Sequence, residues 1–197
     1  MEDSDHKGTI LEYPTTKGLE YETYENSNKF YLTPADPYLK TRYYAFKQNS
    51  FVFLAYESFA KSSVSKMFTG IYKPISFTKN MDLTIYKKDW IDIIFRTKKI
   101  KAGIKEVDKY LTFTSENKEF KNLRLSKKFI NSFVQLNDCI GPLKIIVKNE
   151  YLENFSDFRG KTTIGIESNK WIYKYEDISK MFELGENLLL EIENVCA

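Results

Sequence analysis

The chain has 197 residues, 16% of them aromatic, with 30 basic residues against 27 acidic ones. That length suits one domain with a sizeable core. A formal charge of only +3 excludes a nucleic-acid argument from overall charge. The charges are unevenly spread: residues 1–30 carry seven acids against three lysines, residues 79–128 fourteen bases against seven acids, and the stretch from Glu176 onward six acids against one lysine. A basic middle lies between acidic ends. Lysine supplies 26 of the basic residues and arginine four, which disfavours planar, bidentate phosphate recognition. No apolar run approaches the roughly 20 residues of a membrane-spanning helix. The opening MEDSDHKGT is too acidic and polar for a secretory signal or a transit peptide. Two cysteines, Cys139 and Cys196, cannot build a disulfide framework, so a cytoplasmic location is expected.

In chain order, Met1 to Lys17 lacks periodicity and is expected to be a mobile tail, with residues 18–197 forming a single domain. Leu19 to Tyr24 alternates apolar and acidic residues and reads as a short edge strand. Asp36-Pro37 offers an N-cap followed by a first-turn proline, which predicts a helix to about Lys47 with Tyr38, Leu39, Tyr43 and Phe46 facing inward. The run Phe51 to Phe59 reads as a buried strand, with a hairpin loop at Lys61 to Ser63 and a return along Met67 to Tyr72. Met81 to Tyr86 alternates in the manner of a strand, and Trp90 to Thr97 reads as another.

The clearest stretch is Lys99 to Lys148. Tyr110 to Thr114 is rich in β-branched and aromatic residues and predicts a strand. Turn-forming residues follow from Ser115 to Glu119. Ser126 is placed to cap a helix whose apolar stripe is Phe129, Ile130, Phe133, Val134 and Leu136. Gly141-Pro142 ends that helix, with glycine expected in the left-handed position, and Leu143 to Val147 reads as a buried strand. Beyond it, Thr162 to Glu167 and Lys170 to Tyr175 read as a hairpin. The chain closes on an amphipathic helix from Asp177 to about Val195. Gly185 falls on its inward stripe, where a helical glycine costs about 1 kcal/mol against alanine, so close packing on the sheet is expected there.

The only histidine, His6, lies in the expected tail, which leaves no imidazole for a His-dependent triad, a Cys–His pair or a His-rich zinc site. There is no phosphate-cradling or dinucleotide glycine fingerprint and no nucleophile elbow. No metal site or cofactor is expected. Carboxylate chemistry survives as one alternative: Asp108 before the Tyr110 strand, then Glu116 and Lys118 as Glu-x-Lys, would suit a Mg²⁺-dependent nuclease. The bland reading of these three residues is a solvated turn. Lys87, Lys88, Lys98, Lys99 and Lys101, with Trp90 among them, could instead form a basic surface for an acidic protein partner. Nucleic acid ranks below that partner because acids are interleaved. Trp171, Tyr173 and Tyr175 would share one face of the expected hairpin, either as core or as an interface anchor. A small-molecule pocket lined by tyrosine and phenylalanine is a further alternative.

Three segments, Met67 to Tyr72 (MFTGIY), Glu106 to Asn117 (EVDKYLTFTSEN) and Leu125 to Ile130 (LSKKFI), resemble an uncharacterised family of bacterial domains of unknown function. Those domains show an F-x-G strand, an acidic residue leading into an F-x-V-x-S strand, and a leucine-capped helix after a turn. The resemblance spans about Phe51 to Lys174. It implies an α+β fold and a bacterial source, and transfers no catalytic residue. Its members are often joined to membrane segments. Together these readings predict an α+β domain: a mostly antiparallel, twisted sheet with two amphipathic helices packed on one face. The expected function is a non-catalytic module that binds another protein.

Overall fold

A strand buried on both faces needs apolar residues at successive positions, and one covered on a single face needs them at alternate positions. Both patterns occur here. The computed structural model describes residues 3–26, 40–60, 63–76, 82–88, 99–100, 104–115 and 125–196. The elements run α1 (Asp3–Lys17), β1 (Tyr21–Asn26), β2 (Lys40–Gln48), β3 (Phe51–Ala60), β4 (Ser63–Ile75), β5 (Asp82–Lys87) and β6 (Lys99–Ile100). After these come α2 (Lys105–Tyr110), β7 (Leu111–Ser115), α3 (Lys127–Ile140), β8 (Lys144–Asn149), β9 (Thr162–Ser168) and α4 (Tyr175–Cys196). The described strands form one nine-stranded sheet in the order β1-β2-β3-β4-β9-β8-β5-β7-β6, and every pairing is antiparallel. This is an α+β fold, as the sequence predicts.

The sheet serves two separate cores. Phe46 of β2, Phe53 of β3, Ile71 of β4, Ile166 of β9, Ile145 of β8, Ile85 of β5 and Phe113 of β7 share one face. They pack with Ile10 of α1, Phe133 of α3 and Phe182 and Leu189 of α4. On the opposite face Tyr43, Leu54, Tyr56, Phe68, Tyr72 and Ile146 pack with Leu152 and Phe158 from the segment between β8 and β9. The helices therefore belong to the first face, and a short irregular segment covers part of the second.

Two contacts fix the helical layer. The Ser126 hydroxyl accepts from the Phe129 N–H at 2.9 Å, as the sequence predicts for an N-cap. Glu191 of α4 in turn accepts from the Ser126 N–H at 2.7 Å and from its O–H at 3.0 Å, so the cap of one helix is held by the side of the next. At Gly185 an added Cβ would lie 2.7 Å from Ile71 Cδ1, which gives the close helix-to-sheet approach expected from the sequence.

Several expectations are corrected. Asp3–Lys17 is not a mobile tail: it forms α1 despite an interior proline. Ile10 and Tyr13 of that helix are buried, and Tyr13 stacks on both Phe46 and Phe182, which also touch each other. Tertiary packing supplies what the weak periodicity did not. The helix expected up to Lys47 is replaced over Lys40–Gln48 by strand β2, because Tyr43 and Ala45 bury on one face and Tyr44 and Phe46 on the other. Residues 36–39 lie outside the described residues, as do Trp90 to Thr97 and the turn from Glu116 to Glu119. Lys170 to Tyr175 is not a returning strand: the Ile172 N–H donates to the Thr69 hydroxyl at 3.2 Å instead of to a strand backbone, and α4 begins at Tyr175. The short helix α2 precedes β7 where only a strand was expected. Gly141 is extended at φ −69°, not left-handed. It is required because a Cβ there would press on the Asn137 carbonyl, which already accepts the Gly141 N–H at 2.8 Å.

Glu186 of α4 has one buried carboxylate oxygen without a partner, and burial pushes its pKa up against the hydrogen bonds from Asn49 and Gln48. An acid whose folded pKa lies above its unfolded value of about 4.5 weakens the fold wherever it is charged in both states. That penalty is relieved as pH falls through the raised folded pKa toward the unfolded one. Glu186→Gln is therefore expected to stabilise the protein at pH 7, by about 0.5–1 kcal/mol. The gain should shrink as pH drops toward 4.5, measured by urea unfolding across a pH series.

Candidate binding cleft

The second face is organised by a carboxylate. Glu167 of β9 is 1% exposed and sits on the same strand face as Gly165. Tyr72 of β4 donates its phenol to Glu167 Oε2 at 2.9 Å, and Tyr151 donates to the same oxygen at 2.9 Å. Lys144 of β8 brings its ammonium within 2.8 Å of Oε1. Register explains the convergence, since Glu167 lies opposite Gly70 on one side and Lys144 on the other. Burial pushes the Tyr72 pKa well up, and the neighbouring Glu167 charge adds to this; the phenol therefore stays a donor. The Tyr72 ring occupies space that only glycine leaves open. A Cβ at Gly165 would strike the ring carbons, and one at Gly70 would come within 2.7 Å of the hydroxyl.

Tyr151 begins the segment that covers this face. Leu152 and Phe158 anchor it in the second core. Backbone turns close it, with the Phe155 N–H on the Leu152 carbonyl at 2.9 Å and the Phe158 N–H on the Phe155 carbonyl at 3.0 Å. Between this cover and the β1–β2 margin lies an open cleft of about 510 Å³. Its floor is Tyr43, Ala45 and Val52, its strand side carries Glu20 and Glu22, and its cover side carries Phe155, Asp157 and Arg159. Tyr24 stacks on Tyr43 at 5.2 Å, and Phe155 meets Tyr43 edge-on at 5.3 Å. The Tyr43 phenol donates to Glu22; burial first, then that bond, pushes its pKa far above the ordinary phenol value. Lys47 and Asp157 join the strand side to the cover at 3.0 Å. Such a cleft can hold an aromatic or aliphatic side chain against its floor and set charges of either sign at its rim.

The residues singled out from the sequence lie elsewhere. Lys87 pairs with Asp138 on α3, and that hydrogen bond holds the Asp138 carboxyl below its usual range. Lys88 donates to the Asp108 carbonyl at 3.1 Å. Lys99 belongs to β6, at the far margin of the sheet. Trp90, Lys98, Lys101, Glu116 and Lys118 lie outside the described residues. Asp108 stands on helix α2, three residues before β7. Among the described residues no group of three or more His, Cys, Asp or Glu side chains is placed to hold a metal.

Trp171, Tyr173 and Tyr175 are partly buried and pack on the first core, although not as one strand face. Trp171 lies under the Arg42 guanidinium at 5.4 Å, and Arg42 is itself paired with Glu57 at 2.5 Å. Tyr175 contacts Tyr13 at 5.0 Å. Lys170 reaches the Gly141 carbonyl at 3.5 Å, just past the α3 turn that carries Asp138, whereas Trp171 packs against Tyr44 and Arg42 of β2.

Sequence reasoning missed Glu20, Glu22, Tyr43, Phe155 and Arg159 as neighbours. The alternation Leu19 to Tyr24 did mark a sheet margin. Nothing local could have shown that the opposite wall comes from residues 154–159. No protein-family model, no curated protein and no solved structure matches the chain, so the cleft is read from its own geometry.

Removing the carboxylate in Glu167→Ala strands the buried Tyr72 hydroxyl and is expected to cost about 2–4 kcal/mol. Tyr151→Phe leaves Glu167 two partners and is expected to cost about 1 kcal/mol. Gly165→Ala drives a methyl into a ring that cannot move and is expected to cost about 1–3 kcal/mol. Urea denaturation of the three variants checks both the order and the sizes.

Proposed function

We propose that this protein is a non-catalytic cytoplasmic module that recognises another protein, and that recognition takes place at the cleft beside β1. One observation carries this reading: an open cleft with an aromatic floor and a charged rim lies along a strand at the margin of the sheet. Interfaces are enriched in aromatic anchors surrounded by polar rims, and a marginal strand with an adjoining pocket is a recurrent way of taking up a peptide. No described helix is long and apolar enough to cross a membrane.

The lysine-rich end of the sheet supports this reading less well. Its described cations already have partners within the chain: Lys87 faces Asp138, Lys88 donates to the Asp108 carbonyl and Lys109 lies over the Tyr110 ring. An acidic partner there would have to displace bonds that are already made.

A photo-crosslinker compares the cleft with an exposed position on the helical layer. Asn154→benzoylphenylalanine, on the exposed cover of the cleft, is expected to give a discrete protein adduct in native cells. Lys180→benzoylphenylalanine, on the exposed side of α4, is expected to give none. No adduct from position 154, or the same adducts from both positions, would overturn the assignment.

A further inference from the structure

We infer that the cleft takes the C-terminal end of a partner chain. Its last residue, aromatic or aliphatic, lies on the floor with its carboxylate at Arg159, and basic residues just upstream lie at Glu20 and Glu22. The inference rests on the reading of the cleft as a recognition site and names the chemistry of what enters it. Lys47 and Asp157 already hold each other at 3.0 Å. The other charged residues of the lining are Glu20, Glu22 and Arg159, and all three are exposed. They stand on opposite walls, the glutamates on the β1 side and the arginine on the cover, with Tyr43, Ala45 and Val52 on the floor. Glu22 takes the Tyr43 phenol on Oε1. Among the described residues no carboxylate pairs with the Arg159 guanidinium.

The run of the two walls separates a chain end from a passing segment. Phe155 meets Tyr43 and Asp157 meets Lys47, so the cover follows β2 in the same direction and Arg159 comes at the Lys47 end. The Lys47–Asp157 pair bridges the walls there. A polypeptide passing straight through would have to part that bridge, whereas one that stops beside it does not. A terminal residue carries a carboxylate and a side chain on one Cα, which suits a guanidinium beside an aromatic floor. Guanidinium groups hold carboxylates through two parallel N–H···O bonds. Charge rejects the alternatives. A phosphate brings nearly two negative charges into a lining with two glutamates against one arginine, and an acidic upstream segment meets the same repulsion. A chain that ends in two lysines, an aromatic residue and its own carboxylate answers each of these charges once.

The test titrates the full chain, followed by NMR, with acetyl-Gly-Lys-Lys-Phe bearing a free carboxylate. Its C-terminal amide, acetyl-Gly-Glu-Glu-Phe and free phenylalanine serve as comparisons. The Phe155, Asp157 and Arg159 amide signals are expected to shift with the lysine acid. The amide is expected to bind about tenfold more weakly, through loss of one charge-assisted pair. Arg159→Gln should bind acid and amide alike, with its urea midpoint unchanged because that side chain is exposed. Glu20→Gln combined with Glu22→Gln should erase the preference for the lysine peptide over the glutamate one. Equal binding of acid and amide by the unmodified chain, or a preference that survives Arg159→Gln, would overturn the inference. Equal binding of the glutamate peptide would do the same, as would equal binding of free phenylalanine, which would make the ligand a small zwitterion. Absence of binding by the lysine acid at millimolar concentration would also overturn it. If position 154 still crosslinks a protein in that case, the recognition site stands and only the capture of a chain end falls. Loss of the adduct as well would remove both.

Discussion

The buried carboxylate of Glu167 accepts from two phenols and an ammonium group, and the second face of the sheet depends on that arrangement. A charge taken from water is tolerable only when it is paired and hydrogen-bonded. Here the partners come from β4, from β8 and from the start of the covering segment, so three otherwise separate pieces must arrive together. The two glycines beneath Tyr72 serve the same end. They let a large ring lie flat on the strands and carry its hydroxyl to the carboxylate. Removing either the space or the charge would leave the other without purpose, which is why the polar pair and the bare backbone belong to one device.

From that device the cleft follows. The covering segment is pinned at Tyr151 by the carboxylate and at Leu152 and Phe158 by the second core, and it meets β2 again through Lys47 and Asp157. The opening left between these fixed points is set by rigid neighbours on both sides. Sites held by packed elements keep their shape better than sites on free loops. The first face, by contrast, is filled by helices.

Much of the scaffold was legible because it is local. Ser126 followed by Phe129, Ile130 and Phe133 is an N-cap and stripe that survive intact, and Gly185 announced a close approach that Ile71 confirms. The failures are those of local chemistry overruled by distant partners. Asp36-Pro37 signalled a helix, yet Tyr43 and Phe46 find better burial between β1 and β3. Lys170 to Tyr175 alternates as a strand would, but Thr69 and Arg42 hold that stretch in another path. The cleft was illegible for a related reason. Glu22 and Phe155 are widely separated in sequence, and no periodicity links a charged strand to the loop that faces it.

The position of β9 has a further consequence for biosynthesis. It is the last strand in the chain, yet it lies between β4 and β8 in the middle of the sheet. As the polypeptide leaves the ribosome, the β1–β4 meander and the β5, β7 and β8 group can each form without touching. Each would carry one raw inner border that awaits the same seven residues. The two halves become a continuous surface only when Thr162–Ser168 slots between them, so the sheet is completed only after its other described strands have been made. Long-range pairing of this kind is slow and exposes borders in the meantime. The nascent chain is thus exposed to misassociation until β9 has been made.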